Sequence, residues 1–234
     1  MTGAALAVLG QTDTQPLIQW SWITDNFDEI ASRAVQHVWL TVVSVAVALV
    51  IAFPFAVLAN RYRWVIPPVT WVSSILYTIP ALAVIALLIP ITGLSLTTVA
   101  IPLISYNILI LFRNTLAGLD GVDADVKEAA IGMGLSRRQL LWRVEIPLAM
   151  PVIIAGLRIA TVSSIGLVTI AALIGRGGFG QFIIQGLNEF FWTPLVVGVV
   201  LSVAFALLAD LLLVLFQRLA TPWARAAGVR AVAT

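Results

Sequence analysis

The chain has 234 residues, of which 61% are hydrophobic and 10% charged, and its mean hydropathy is +1.05. That composition excludes an ordinary soluble globular domain and indicates an integral membrane protein. A net charge of +2 is too small to suggest a nucleic-acid partner, and the absence of cysteine excludes disulfides and thiolate metal sites.

Residues 1–32 contain no Lys or Arg. The apolar start Ala4–Leu9 therefore lacks the charged flank of a signal peptide, and it is too short to span a bilayer. Residues 1–32 are expected to form a polar external leader, with Trp20 and Trp22 near a membrane interface. A membrane crossing needs about 20 apolar residues. Five segments meet that requirement, at Val35–Ala59, Val65–Ile91, Ser95–Phe112, Leu148–Ile174 and Pro194–Phe216. They belong to one membrane domain, 33–220, with a short tail at 221–234. Pro80, Pro90 and Pro102 interrupt the second and third spans. Each removes a backbone donor that must be compensated in lipid, either at a packing kink or beside a transport pathway.

Charge sets the expected orientation. Arg61 and Arg63 follow the first span, Arg113, Lys127, Arg137, Arg138 and Arg143 lie between the third and fourth, and Arg218, Arg225 and Arg230 follow the fifth. Only Arg33 and Arg176 fall on the other side, while Asp13, Asp25, Asp28 and Glu29 gather in the leader. The positive-inside rule then places the N-terminus outside, and the C-terminus and the loop 113–147 in the cytoplasm.

Within that loop, Asp123 and Asp125 are N-cap candidates, and Asp125 with Glu128 has the spacing of a capping box. Gly132 and Gly134 stop the first helix. Ser136 and Gln139 open a second through Leu140, Leu141 and Val144, and Pro147 marks the start of the fourth span. Ala129 and Ala130 offer a small-residue face, with Glu128, Arg137 and Arg138 at its rim. By itself this pattern fits a partner-docking surface or an ordinary interfacial amphipathic loop.

The order Glu128-Ala129-Ala130, then Gly134, then nine residues to Val144-Glu145-Ile146-Pro147 resembles the EAA motif of bacterial ABC importer permeases. Val144 and Ile146 are conservative replacements in the family's I-x-L-P ending. The similarity runs over about residues 35–220 and is strongest to the osmoprotectant subgroup. It includes Thr78-Ile79-Pro80, Leu88-Ile89-Pro90, Arg113-Asn114-Thr115, Val144 to Ile153 and Ala171 to Gly180.

The resemblance implies an all-α integral membrane protein of the type I (MetI-like) ABC importer permease fold, with about five transmembrane helices, in the bacterial inner membrane. Glu128, Ala129, Ala130, Gly134, Arg137, Arg138 and Pro147 would then form the coupling element for an ATPase. The implied partners are ABC ATPase subunits, a second permease subunit, an external solute-binding protein and membrane lipid. The implied cargo is glycine betaine, carnitine, choline or proline betaine, with amino acids such as methionine as the alternative. No cofactor is expected on this chain, because ATP and Mg²⁺ would sit on the partner ATPase. The chain itself is not expected to be an enzyme, since no Walker A sequence surrounds Lys127, the only lysine.

Other features are weighed without the family. Gly175–Gly180 spells G-x-G-x-x-G, but it follows a membrane span and not a strand of a βαβ unit, so a tight external turn is the better reading. Arg158 and Asp210 are the ionisable residues deepest in the spans, and are expected either to pair near the cytoplasmic side or to snorkel. Tyr77 and Tyr106, with Thr78, Pro80 and Asn107, are the candidates for pathway contacts, against core packing as the alternative. His37 has no second ligand nearby in sequence, so no metal site is expected. Trp20, Trp22, Trp39, Trp64, Trp192 and Trp223 read as interface-belt residues. A passive channel would need no docking loop, and a membrane enzyme would need converging catalytic groups that the spans lack.

Overall fold

The computed structural model describes residues 16–223. The expectations for Ala4–Leu9, and for Arg225 and Arg230 of the tail, lie outside the described residues. The helices are α1 (Trp20–Asp25), α2 (Phe27–Arg61), α3 (Ile66–Thr78), α4 (Ala81–Thr92), α5 (Leu96–Asp120), α6 (Ala124–Gly132), α7 (Arg137–Leu140), α8 (Ile146–Ile170), α9 (Gly180–Glu189) and α10 (Trp192–Ala220). Among the described residues, four continuous stretches are long and apolar enough to cross a membrane: Phe27–Arg61, Leu96–Asp120, Arg137–Ile174 and Trp192–Ala220. The expected second span is instead two helices, Arg63–Thr78 and Ala81–Thr92, that meet at 89°.

Long-range polar contacts show which helix ends lie together. Arg63 Nη1 donates to Asp120 Oδ2 at 2.7 Å, joining the ends of α2 and α5, and Gln217 Nε2 donates to the Pro151 carbonyl, joining α10 to the start of α8. At the opposite end Arg176 Nε donates to the Leu94 carbonyl, and the Gln19 amide donates to Thr193 Oγ1. The bent pair therefore starts at one end and finishes at the other, so α3–α4 is a broken span. The described N- and C-terminal segments lie at opposite ends of the bundle.

The core is assembled on small residues. Ser44, Ala48, Ala52 and Ala56 repeat every four positions on α2, each with no exposed surface, so α5 can approach closely with Leu111 and Phe112. A Cβ on Gly156 of α8 would stand 2.4 Å from the Asn114 Cβ of α5, so that contact also requires glycine. α10 lies at the periphery and leaves Val203, Leu207, Leu211 and Leu215 exposed, as a lipid- or partner-facing helix does.

Several boundaries differ from the sequence expectation. The first spanning helix begins at Phe27, within the expected leader, because Asp28 and Glu29 occupy its first turn, where the helix dipole favours acids. α5 continues to Asp120 and does not stop at Phe112. Asn114 is absorbed locally, its Nδ2 donating to the Ile110 carbonyl, while Leu116 and Leu119 extend the buried face.

Only Pro80 breaks a span. Pro90 and Pro102 lie within α4 and α5. Ile79, ahead of Pro80, is extended at ψ 127°, the conformation that proline imposes on its predecessor. The Tyr106 hydroxyl of α5 donates to the carbonyl of this same residue, so the freed acceptor is satisfied. The fourth span opens at Ile146 with Pro147 in its first turn, as expected, but no loop precedes it. α7 runs through a π turn, Leu141–Glu145, straight into α8, making one helical stretch from Arg137. The widened turn accommodates the backbone donor that Pro147 lacks.

Candidate functional site

At one end of the bundle the loop between α5 and α8 folds into its own small unit. The Asp123 carboxylate caps α6 by accepting from the Asp125 amide at 2.9 Å. Asp125 is thus a first-turn acid, and the expected Asp125–Glu128 box does not form. Met133 closes α6, and Gly134 turns the chain at φ +85° with nothing within 4 Å of a built Cβ. That left-handed conformation favours glycine whatever the space. Ser136 and Gln139 then make both bonds of a capping box.

These caps hold one face of α6 outward. Val126, Ala129 and Met133, spaced three and four apart, are all exposed, and Met133 is 75% exposed. Glu128 lies exposed beside them, whereas Ala130 is buried against the bundle. Arg137 and Arg138 are exposed on α7, and Pro147 opens α8. The coupling candidates are therefore together, except that Ala130 serves the interior.

The pathway candidates separate into two groups. Tyr77 and Thr78 line an open groove of about 440 Å³ between α3, α5 and α8, shared with Ser74, Arg113 and Asn114. Tyr77 and Tyr106 face each other with ring centroids 5.3 Å apart, and Tyr106 holds the Ile79–Pro80 break. Asn107 is 2% exposed and donates to Ser164 Oγ at 2.7 Å, so it joins α5 to α8 and does not line the groove. Arg113, not among the pathway candidates read from sequence, donates to Ser74 Oγ across the groove at 3.4 Å.

Arg158 and Asp210 meet in a two-pronged ion pair. Nε donates to Oδ1 at 2.7 Å and Nη2 to Oδ2 at 2.9 Å. The planar guanidinium matches both carboxylate oxygens, which fixes the rotation of α10 against α8.

The opposite end carries a construction that periodicity did not reveal. His37 has no exposed surface. Its Nδ1 accepts from the Phe179 amide at 3.3 Å, so Nε2 carries the proton and donates to the Ile165 carbonyl at 3.1 Å. Both ring nitrogens are thus committed to backbone, and the ring joins α2, α8 and the Gly175–Gly180 loop. Gln36 Oε1 accepts from the Gly178 amide beside it. Trp22 packs edge-on against Phe182 and Phe191, with centroids 5.7 and 6.1 Å away. The only sequence signal for this arrangement is a polar Gln-His pair inside an apolar helix.

Residues 44–221 match the family described as binding-protein-dependent transport system inner membrane component. The chain is 35% identical over 206 residues to the osmoprotectant import permease protein OsmW of Salmonella typhimurium, covering 86% of this chain and 96% of that one. It is 31% identical over 202 residues to the glycine betaine/carnitine/choline transport system permease protein OpuCB of Bacillus subtilis, covering 86% and 93%. Among solved structures, a chain of the inward-facing MetNI methionine ABC transporter superposes with a TM-score of 0.69 at 23% identity, covering 80% of this chain and 93% of that one. A chain of an amino acid ABC transporter superposes at 0.70 and 19% identity, covering 86% and 98%. These structural likenesses carry the fold alone. With four spanning helices and one broken span among the described residues, an exposed loop at one end and a family match over most of its length, the chain belongs to the binding-protein-dependent transport system inner membrane components, as a multi-pass inner-membrane permease.

Proposed function

We propose that this chain is the translocating subunit of an ATP-binding cassette importer for quaternary-amine osmoprotectants, the group of glycine betaine, carnitine, choline and proline betaine. The observation that carries the reading is the capped loop Asp123–Pro147, which holds Val126, Ala129 and Met133 outward beyond the spans. An apolar face held outside lipid marks a surface that another protein covers. Ala129 of this face belongs to the EAA motif, whose loop in ABC permeases seats in the ATPase subunit. The relatives' names support the substrate class.

In this reading ATP and Mg²⁺ bind the partner ATPase, and this chain binds no cofactor. Arg61, Arg63, Lys127, Arg137, Arg138 and Arg143 lie at the loop end, and Asp25, Asp28 and Glu29 at the other. The positive-inside rule makes the loop end cytoplasmic, with the N-terminus outside and the C-terminus inside. Closure of the ATPases moves the loop, and the unbroken stretch from Arg137 to Ile174 transmits that motion along the bundle. The groove with Tyr77, Ser74 and Arg113 forms one wall of the route, where aromatic faces suit a quaternary ammonium. A second permease copy or paralogue supplies the facing wall, and an external solute-binding protein delivers the cargo.

The test is reconstitution with candidate ATPase and binding-protein chains, followed by uptake of labelled glycine betaine, choline and methionine. ATP-dependent uptake of the quaternary amines is expected. Uptake without ATP would refute the mechanism, and uptake of methionine alone would refute the substrate class.

A further inference from the structure

Two cavities lie end to end between α2 and the α6–α8 segment. The first, about 600 Å³, is cut into the loop end and lined by Arg61, Arg63, Lys127, Arg137 and Arg138, with Glu145 as its only carboxylate. Two of these cations have acidic partners. Arg63 is paired with Asp120, and Lys127 Nζ lies 3.9 Å from Glu145 Oε1. Arg61, Arg137 and Arg138 have no carboxylate partner among the described residues; Arg61 rests on the Tyr62 ring at 5.2 Å. Unpaired guanidinium groups sharing one cleft repel one another, and their planar donor sets match an oxyanion such as phosphate.

The second cavity, about 350 Å³, is lined by apolar residues, among them Leu49, Val50, Phe53, Ile146, Met150 and Ile153. The two are continuous along both walls. On α2, Val57 borders the cleft and Phe53 the groove, about 6 Å apart along the axis. On the facing wall Leu141 and Glu145 border the cleft, and Ile146 and Met150 the groove. Phe53, Val57, Leu141 and Met150 pack against one buried cluster, so a single surface floors both. Depth agrees with this division. Trp64 and Trp142, next in sequence to Arg63 and Leu141 of the cleft, are both largely exposed, as tryptophans are at headgroup level.

We propose that the cleft and groove together bind one anionic glycerophospholipid, with its phosphate among the arginines and an acyl chain along the groove between α2 and α8. A soluble phosphate would leave the apolar groove unfilled. A zwitterionic lipid would fill the groove but carry its own cation in among Arg61, Arg137 and Arg138. Because α6 and α7 form the cleft's outer wall and run on into α8, the bound lipid braces the loop against α2. This site goes beyond the transport reading and is independent of the cargo.

The test is native mass spectrometry of the purified full-length permease, titrated with dioleoylphosphatidylglycerol or dioleoylphosphatidylcholine. Phosphatidylglycerol should bind at least about tenfold more tightly. Arg61→Gln with Arg138→Gln should remove that preference, and Met150→Trp, which fills the groove, should weaken both lipids. For wild-type protein the preference should fall toward unity between about 0.1 and 1 M salt, as the screening length contracts from about 10 to 3 Å. That measurement decides the matter even where a variant fails to fold. Equal affinity for the two lipids, or a preference that survives the double variant, would overturn the proposal. Displacement of phosphatidylglycerol by millimolar inorganic phosphate would identify a soluble-anion site, and displacement by the ATPase subunit would identify an acidic protein surface; either refutes the lipid assignment.

Discussion

Glycine works in opposite ways at the two ends of the bundle. Over Gly177–Gly180 it provides room. A Cβ on Gly177 would stand 2.1 Å from the Ala172 nitrogen, one on Gly178 would stand 2.6 Å from the His37 Cβ, and one on Gly180 would stand 2.3 Å from the Thr169 carbonyl. In the α6–α7 loop a Cβ on Gly132 or Gly134 meets nothing within 4 Å, and Gly134 serves by its positive φ alone. The first end is closed by this chain's own packing. The second is an open surface whose shape is set by caps and one turn, as expected of a part that another chain covers. A glycine-rich string thus has no single meaning, and the neighbours decide which one applies.

The sharpest way to break this contrast is Gly177→Val. Its branched side chain would meet fixed backbone, and overpacking of this kind costs typically about 1–3 kcal/mol, more where nothing can move. Most folded, membrane-inserted protein should be lost, read as the monodisperse fraction after detergent extraction. Gly132→Ala at the other end should leave that fraction intact, and equal yields from the two variants would remove the distinction.

The next largest effect should come from the ion pair between the two ends. Arg158→Asp or Asp210→Arg alone leaves two like charges facing each other between α8 and α10, and each should sharply reduce accumulation. The double reversal should restore it, and failure to restore would show that the pair does not hold α10.

Gly134→Val should leave insertion largely unaltered, because open space surrounds it, but the left-handed conformation costs a branched residue about 1–2 kcal/mol. The turn should re-form differently, so that reconstituted transporter hydrolyses ATP without matching uptake. Normal coupling would argue that the loop is not the transmitting element. Ser136→Ala should have the smallest effect. It removes one cap bond, about 1 kcal/mol of local helix stability. Recovery of co-purified ATPase should drop a few-fold while the melting temperature of the spans stays the same; an unchanged recovery would show that α7 need not be pre-formed for docking.

Much of this was legible from sequence where the governing chemistry is local. Bilayer thickness identifies a spanning segment from its run of apolar residues, and the Ser136–Gln139 box announces itself because capping groups lie within one turn. The Arg158–Asp210 pair was legible for a different reason, since two charges in lipid have few alternatives to each other. Asn107 shows where such reading ends. Its polarity suggested the pathway, yet its partner is Ser164, and no local pattern states which side of α5 meets α8. The caps of α6 show a smaller failure: Asp123 and Asp125 are both good cap residues, and the chain's entry angle selected Asp123.

What the sequence alone determined, then, is the membrane class, the five crossings, the exposed loop and the family, because these follow from hydropathy, short-range bonding and motif order. The tertiary structure alone decided that Pro80 and not Pro102 breaks a span, that His37 binds the backbone of Ile165 and Phe179 across 128 and 142 residues, and that five cations line one cleft beside an apolar groove. Each of these depends on which helix faces meet. Close packing of small residues such as Ser44, Ala48 and Ala52 sets that outcome, and it acts between segments that sequence spacing does not relate.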